Sequence, residues 1–193
     1  MSQRNIAIIG GSFNPPTYAH IKLIQMATKL DYDKIIIAPV YQHPFDKDLV
    51  EIDHRINMLV TVVDLFKLNH KGNIEVSDIE EVLYKEHGSN YTLDLVNYFF
   101  VRDLCPIITL VVGSDTIEQL FNWHNYEKLC KMVNFQIMPR KSDVSSTAVR
   151  QTMNATSSYR QWLTGLIPDE LIDYIEENKL YNTNTEELKD SSK

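Results

Sequence analysis

Residues 6–20, Ile-Ala-Ile-Ile-Gly-Gly-Ser-Phe-Asn-Pro-Pro-Thr-Tyr-Ala-His, constrain this chain more than any other stretch. The largely β-branched run at 6–9 predicts a buried strand. Gly10 and Gly11 are expected to end it, because glycine enters the φ > 0 region without steric cost and lets a ligand approach the backbone. Pro15 and Pro16 stiffen the exit, and Thr17 is placed to cap a helix running through Ile21, Ile24, Ala27 and Lys29. A strand, turn and helix start of this kind gathers amide N–H groups and the positive end of a helix dipole at one point, which suits a phosphate. Thr17 and His20 share a face of the first helical turn and can both donate to that phosphate. The same residues also fit an ordinary βα turn in which the histidine only caps or packs, and the local pattern does not decide between the two.

The rest of the chain alternates. Apolar runs bounded by Gly, Pro or polar clusters predict strands at 34–40, 74–76, 106–112 and 133–138. Helical spacing predicts a helix over Ile52, Ile56, Leu59, Val60, Val63 and Phe66, and another opening at Tyr91-Thr92. Further helices are expected at 115–121, at 126–131, after Ser145-Ser146-Thr147, and at 168–178, where Pro168 suits a first turn. Residues 41–51 and the acidic 78–90 read as loops, and 140–144 as a brief polar turn. Strands alternating with helices, without internal repeats, predict an α/β fold with a doubly wound parallel sheet of Rossmann-like type. Ligands of such sheets bind beyond the carboxyl ends of the strands where strand order reverses, and Gly10, Gly113 and the Ser145 turn are expected on that edge.

At 193 residues and 44% hydrophobic content the chain can bury a full core, expected as one domain over 1–181 followed by a polar tail at 182–193. The net charge of −7 argues against a broad nucleic-acid surface, although a few cations gathered in a cleft would still hold a polyanionic small molecule. Cys105 and Cys130 form no Cys-x-x-Cys site and the histidines no His-x-x-x-His pair, so no protein-held metal is expected. No run approaches the roughly 18 apolar residues of a membrane span, and no leader-like segment opens the chain. These features predict a soluble cytosolic protein with reduced thiols that binds no membrane.

Gly11, Phe13, Pro15, Thr17 and His20 resemble the GxFxPxHxGH signature of the T/HxGH nucleotidyltransferases. Thr17 stands at the first histidine, a known family option, and Ala19 replaces the usual glycine. Val144-Ser145-Ser146-Thr147-Ala148-Val149-Arg150 resembles the second signature, I-S-S-T-x-x-R. Read alone, it is an ordinary N-cap with a solvated arginine; with the first signature in the right order, it reads as a triphosphate site. Gly113-Ser114-Asp115 resembles the family's G-x-D, near a ribose, though an acidic helix cap explains it equally. Trp123 and Ser89-Asn90-Tyr91-Thr92 resemble segments that the pyridine-nucleotide branch sets around the pyridine ring, with Asn90 inserted; a half-buried core tryptophan is the plainer alternative. The ending, from Leu166 to Tyr181, is similar to that of bacterial nicotinate-nucleotide adenylyltransferases. Family members have a longer segment, with a sixth strand, where only 141–143 separate the Met-Pro-Arg turn at 138–140 from Val144.

The resemblance implies adenylyl transfer from ATP to nicotinate mononucleotide, with Mg²⁺ delivered on ATP. It implies catalytic roles for His20, Thr17, Lys47 and Arg150. Gly10, Gly11, Ser12, Phe13, Gly113, Asp115, Ser145, Ser146, Thr147 and Arg150 are expected around ATP, and Thr92, Trp123 and Arg140 around the acceptor. Lys47 is preferred over Arg55 as the cation after the second strand, because Arg55 falls inside a helix and reads as a solvated face. Nicotinamide mononucleotide, phosphopantetheine or an alcohol phosphate are alternative acceptors, and a non-catalytic nucleotide-binding regulator or a structural module the alternative classes. Cytidylyl transfer is disfavoured by the missing R-T-x-G-I-S-T-T ending, and a tRNA synthetase by the missing Lys-Met-Ser-Lys-Ser loop. Self-association stays open, since interface and core apolar residues look alike in sequence.

Overall fold

The computed structural model describes residues 3–42, 49–69, 71–89, 91–139, 144–156 and 158–181. Five strands form one sheet: β1 (Asn5–Gly11), β2 (Lys34–Pro39), β3 (Ile74–Val76), β4 (Ile107–Gly113) and β5 (Val133–Met138). Their order is β3-β2-β1-β4-β5, with every pairing parallel. Strand order therefore reverses between β1 and β4, and the cleft this opens lies at the carboxyl ends that carry Gly11 and Gly113.

The helices are α1 (Tyr18–Ala27), α2 (Ile52–Leu65), α3 (Ile79–His87), α4 (Thr92–Arg102), α5 (Tyr126–Met132), α6 (Ser146–Ala155), α7 (Arg160–Leu163) and α8 (Asp169–Glu177). Alternate side chains of a strand point to opposite faces, so one unbroken apolar run serves two cores. Ala7, Ile9, Ile35 and Ile37 pack with Ile24 of α1, Leu59 and Val62 of α2, Val149 of α6 and Leu171 and Ile175 of α8. Ile6, Ile8 and Ile36 pack on the other side with Leu83 of α3, Val96 and Phe99 of α4 and Leu129 of α5. The predicted doubly wound α/β sheet is the fold observed.

The far end of the chain braces the near end. Tyr18 N–H, one of the amides left open at the start of α1, donates to Leu166 O at 3.0 Å. On the same layer, Tyr174 of α8 meets α2 through its hydroxyl, 2.9 Å from His54 Nδ1, and accepts from Asn57 Nδ2 at 3.2 Å.

Four expectations change. Residues 78–90 contain α3 rather than only loop. Its acidic residues masked the buried pair Ile79 and Leu83, one helical turn apart, while Glu81 and Lys85 pair at 2.7 Å and Gly88 ends the helix in the left-handed region at φ 71°. Residues 114–122 form a 3₁₀ segment rather than an α-helix, with Leu120 its one buried residue. Gly10 and Gly11 remain extended and continue β1, paired with Ala38 and Pro39. Finally, α2 is rotated from its expected face: it buries Ile52, Arg55, Met58, Leu59, Val62 and Val63, whereas Val60 is 43% exposed. Among the described residues no sixth strand follows β5, and the tail at 182–193 lies outside them.

The rotation of α2 separates two neighbours. Leu59→Ala is expected to lower unfolding free energy by about 2–5 kcal/mol, and Val60→Ala by no more than about 0.5 kcal/mol. Urea titration of both variants checks this; equal losses would restore the expected face.

Candidate active site

The turn after β1 owes its shape to Phe13. This residue, not a glycine, takes the left-handed conformation, at φ 47°. Its ring is 1% exposed and meets the His20 ring edge-on, with centroids 5.0 Å apart. A Cβ on Gly11 would lie 3.2 Å from the Phe13 ring, a tight contact with the aromatic that folds back over it. Gly10 is exposed with open space beside it, which leaves its backbone approachable. Ser12 belongs to the same turn, and its carbonyl is held from below.

Beneath that carbonyl sits Arg55, 1% exposed. Its Nε donates to Val50 O at 2.9 Å, its guanidinium nitrogens to Ser12 O at 3.1 Å and Tyr41 O at 3.3 Å, and also to Val40 O. The expected solvated arginine is therefore a buried structural cation. Its place in the core stripe with Ile52, Leu59 and Val62 was the available signal, because a solvated residue does not recur at that spacing. Burial pushes the Arg55 pKa down; Tyr181 and the buried Glu80 of α3 oppose that shift. Lys47, the preferred cation, and Arg140 lie outside the described residues.

His20 is aimed by its neighbour. Thr17 N–H donates to His20 Nδ1 at 3.0 Å, and Thr17 Oγ1 lies 2.9 Å from the same nitrogen. A ring nitrogen that accepts from an amide carries no proton, so the neutral imidazole holds its proton on Nε2. Thr17 is fully buried. It orients the imidazole, whereas the sequence pattern set its hydroxyl toward a phosphate.

The second signature reaches the first. Ser145 caps α6, its Oγ accepting from Ala148 N–H at 3.1 Å. Ser146 Oγ donates to Pro15 O at 2.8 Å, and Arg150 to Asn14 O at 2.6 Å and Thr147 Oγ1 at 3.4 Å. Asn14, which no sequence pattern marked, is 2% exposed, and its Oδ1 also accepts from Val50 N–H at 3.3 Å. The Tyr181 hydroxyl is buried close by and has no hydrogen-bond partner among the described residues. Burial drives its pKa up, against the opposing charges of Arg150 and Arg55.

At the other side of the strand reversal, Gly113 lies against Asp115. A Cβ at Gly113 would collide with the Asp115 carboxylate, which folds back over the end of β4. Trp123 is half-buried against the α4–α5 core, as the plainer reading of it has it. His124 stacks on Tyr91, with centroids 4.1 Å apart and planes at 16°, joining the Trp123 loop to the start of α4 at Thr92. The Asp94 carboxylate accepts from Tyr91 N–H at 3.2 Å and fixes that start. The two segments expected around a pyridine ring thus touch. An open depression of about 600 Å³ lined by Phe121, Trp123, Tyr126 and Lys131 borders this loop but includes no residue of either signature. Among the described residues no three His, Cys, Asp or Glu side chains gather as a metal cage.

Residues 8–160 match the family described as cytidylyltransferase-like. A Campylobacter jejuni protein described as "probable nicotinate-nucleotide adenylyltransferase" is 31% identical over 186 residues, covering 89% of this chain and 96% of its own. A Bacillus licheniformis protein of the same description is 30% identical over 200 residues, covering 93% and 100%. Among solved structures, Plasmodium falciparum nicotinic acid mononucleotide adenylyltransferase complexed with NaAD superposes with a TM-score of 0.78 at 24% identity, covering 92% of this chain and 97% of its own. With the two signatures bonded to each other at the strand reversal and this likeness along nearly the whole length, the chain belongs to the cytidylyltransferase-like nucleotidyltransferases, in the group of the nicotinate-nucleotide adenylyltransferases.

Proposed function

We propose that this chain joins ATP and nicotinate mononucleotide into nicotinate adenine dinucleotide and pyrophosphate, a step of NAD biosynthesis. Relatives described by that activity match along almost its full length. The observation that carries the reading is the pair of bonds from Ser146 and Arg150 to the carbonyls of Pro15 and Asn14, which set a hydroxyl- and cation-bearing helix start against the His20 turn.

The chemistry asks for position and charge more than for a strong base. An oxygen of the mononucleotide 5′-phosphate attacks the α-phosphorus of MgATP. The bond from that phosphorus to the oxygen bridging the α- and β-phosphates breaks, and pyrophosphate leaves. The attacking phosphate is already largely ionised near neutral pH. His20 Nε2–H is suited to donate to the α-phosphate as negative charge builds there. The Gly10, Gly11, Ser12 and Phe13 backbone, with Ser145, Ser146, Thr147 and Arg150, serves the triphosphate, and Lys47 adds a cation. Gly113 and Asp115 serve the ATP ribose. Thr92, Trp123 and Arg140 serve the acceptor, with the Tyr91–His124 stack a flat wall suited to an aromatic ring. Mg²⁺ belongs to the substrate as MgATP. The enzyme acts in the cytosol as a single domain over 1–181, with Cys105 and Cys130 as free thiols.

Pyrophosphate release from MgATP, with nicotinate mononucleotide, nicotinamide mononucleotide and phosphopantetheine offered separately, tests the reading. Release is expected with nicotinate mononucleotide first. A raised melting midpoint with MgATP but no release on any acceptor would instead mark a nucleotide-binding regulator. His20→Ala is expected to lower kcat by about a hundredfold or more with little change in KM, and an unchanged kcat would remove His20 from the reaction. Arg150→Ala is expected to raise KM for MgATP, and steady-state titration of ATP checks it.

A further inference from the structure

We propose that Arg55 is a positioning residue of the phosphate turn, holding the Ser12 carbonyl so that Phe13 N–H faces the cleft. The inference rests on the adenylyltransferase reading and deepens it. In a trans peptide the C=O and the following N–H point in opposite directions. Ser12 O accepts from the buried Arg55 guanidinium at 3.1 Å, so Phe13 N–H points away from that cation. The same peptide leads into Phe13, whose φ of 47° is sparsely populated for a residue with a side chain and needs its surroundings to hold it.

One guanidinium binds three segments here. Ser12 belongs to the turn, Val40 and Tyr41 to the chain leaving β2, and Val50 to the chain entering α2. Asn14 Oδ1 repeats the tie by accepting from Val50 N–H. A fork with five donors in one plane can serve carbonyls on several sides at once, which an ammonium on a flexible stem cannot. A buried charge is a poor way to fill a core, because desolvation opposes it and an apolar side chain packs there without that penalty. Its position under the turn accounts for it: the positive charge sits beneath the place where phosphate charge gathers, and its donors fix the peptide whose amide faces that charge.

The test uses the full chain as wild type, Arg55→Lys and Arg55→Met, each assayed well below its own melting midpoint so that all are folded. Arg55→Lys keeps the charge and loses the fork. It is expected to lower kcat by about tenfold to a hundredfold and to raise KM for MgATP, with Arg55→Met impaired at least as much. A lowered melting midpoint with kcat and KM both within about twofold of wild type would overturn the proposal and leave Arg55 a purely structural residue. If neither variant folds, Asn14→Ala decides, since it cuts the parallel tie to Val50. A several-fold lower kcat supports the clamp, and an unchanged one overturns it. If the wild type releases no pyrophosphate with any mononucleotide, the adenylyltransferase reading fails on its own. The clamp is then judged by the rise in melting midpoint that MgATP gives the wild type: a smaller rise in Arg55→Lys supports it, and an equal rise overturns it.

Discussion

Two carbonyl oxygens, on Asn14 and Pro15, hold this molecule's chemistry together. Each belongs to a turn that cannot donate at the next residue, because prolines occupy positions 15 and 16. The carbonyls must find donors, and they find them on α6, in Ser146 and Arg150. A buried or half-buried backbone oxygen left without a partner is costly, so the turn and the helix start hold each other in register. That register sets the hydroxyl- and cation-bearing start of α6 against the turn that carries His20.

The same logic runs beneath the turn. Arg55 satisfies carbonyls on Ser12, Val40, Tyr41 and Val50, and Thr17 satisfies and orients His20. In a chain of net charge −7, Arg55 and Arg150 thus stand where turns and strand ends leave carbonyl acceptors. Local concentration, not overall charge, sets the potential that a phosphate meets.

Much of this was legible in the sequence because strong patterns wrote it. All five strands fell where apolar runs were bounded by breakers, and α6 began where Ser145 offered a cap. Signals that depend on tertiary partners were misread or missed. The spacing of Arg55 with Ile52, Leu59 and Val62 marks it as buried, but the carbonyls it serves appear only in the fold. The positive φ belongs to Phe13 and not to the two glycines before it, because a ring folding over Gly11 fixes the turn. In α3, Glu80 and Glu81 hid a helix whose buried apolar side is only one residue wide at each turn. Chemistry-bearing residue types could be read from sequence; which of them face the cleft and which hold the others in place could not.

The bond from Tyr18 N–H to Leu166 O has a consequence for biosynthesis. Helix α1 of the signature is made well before residue 166, yet its opening amide is satisfied by the carbonyl of Leu166. Domains assemble from the N-terminal side as they are made. Until residue 166 has been made, the amide that opens α1 thus waits without the carbonyl that satisfies it in the finished fold.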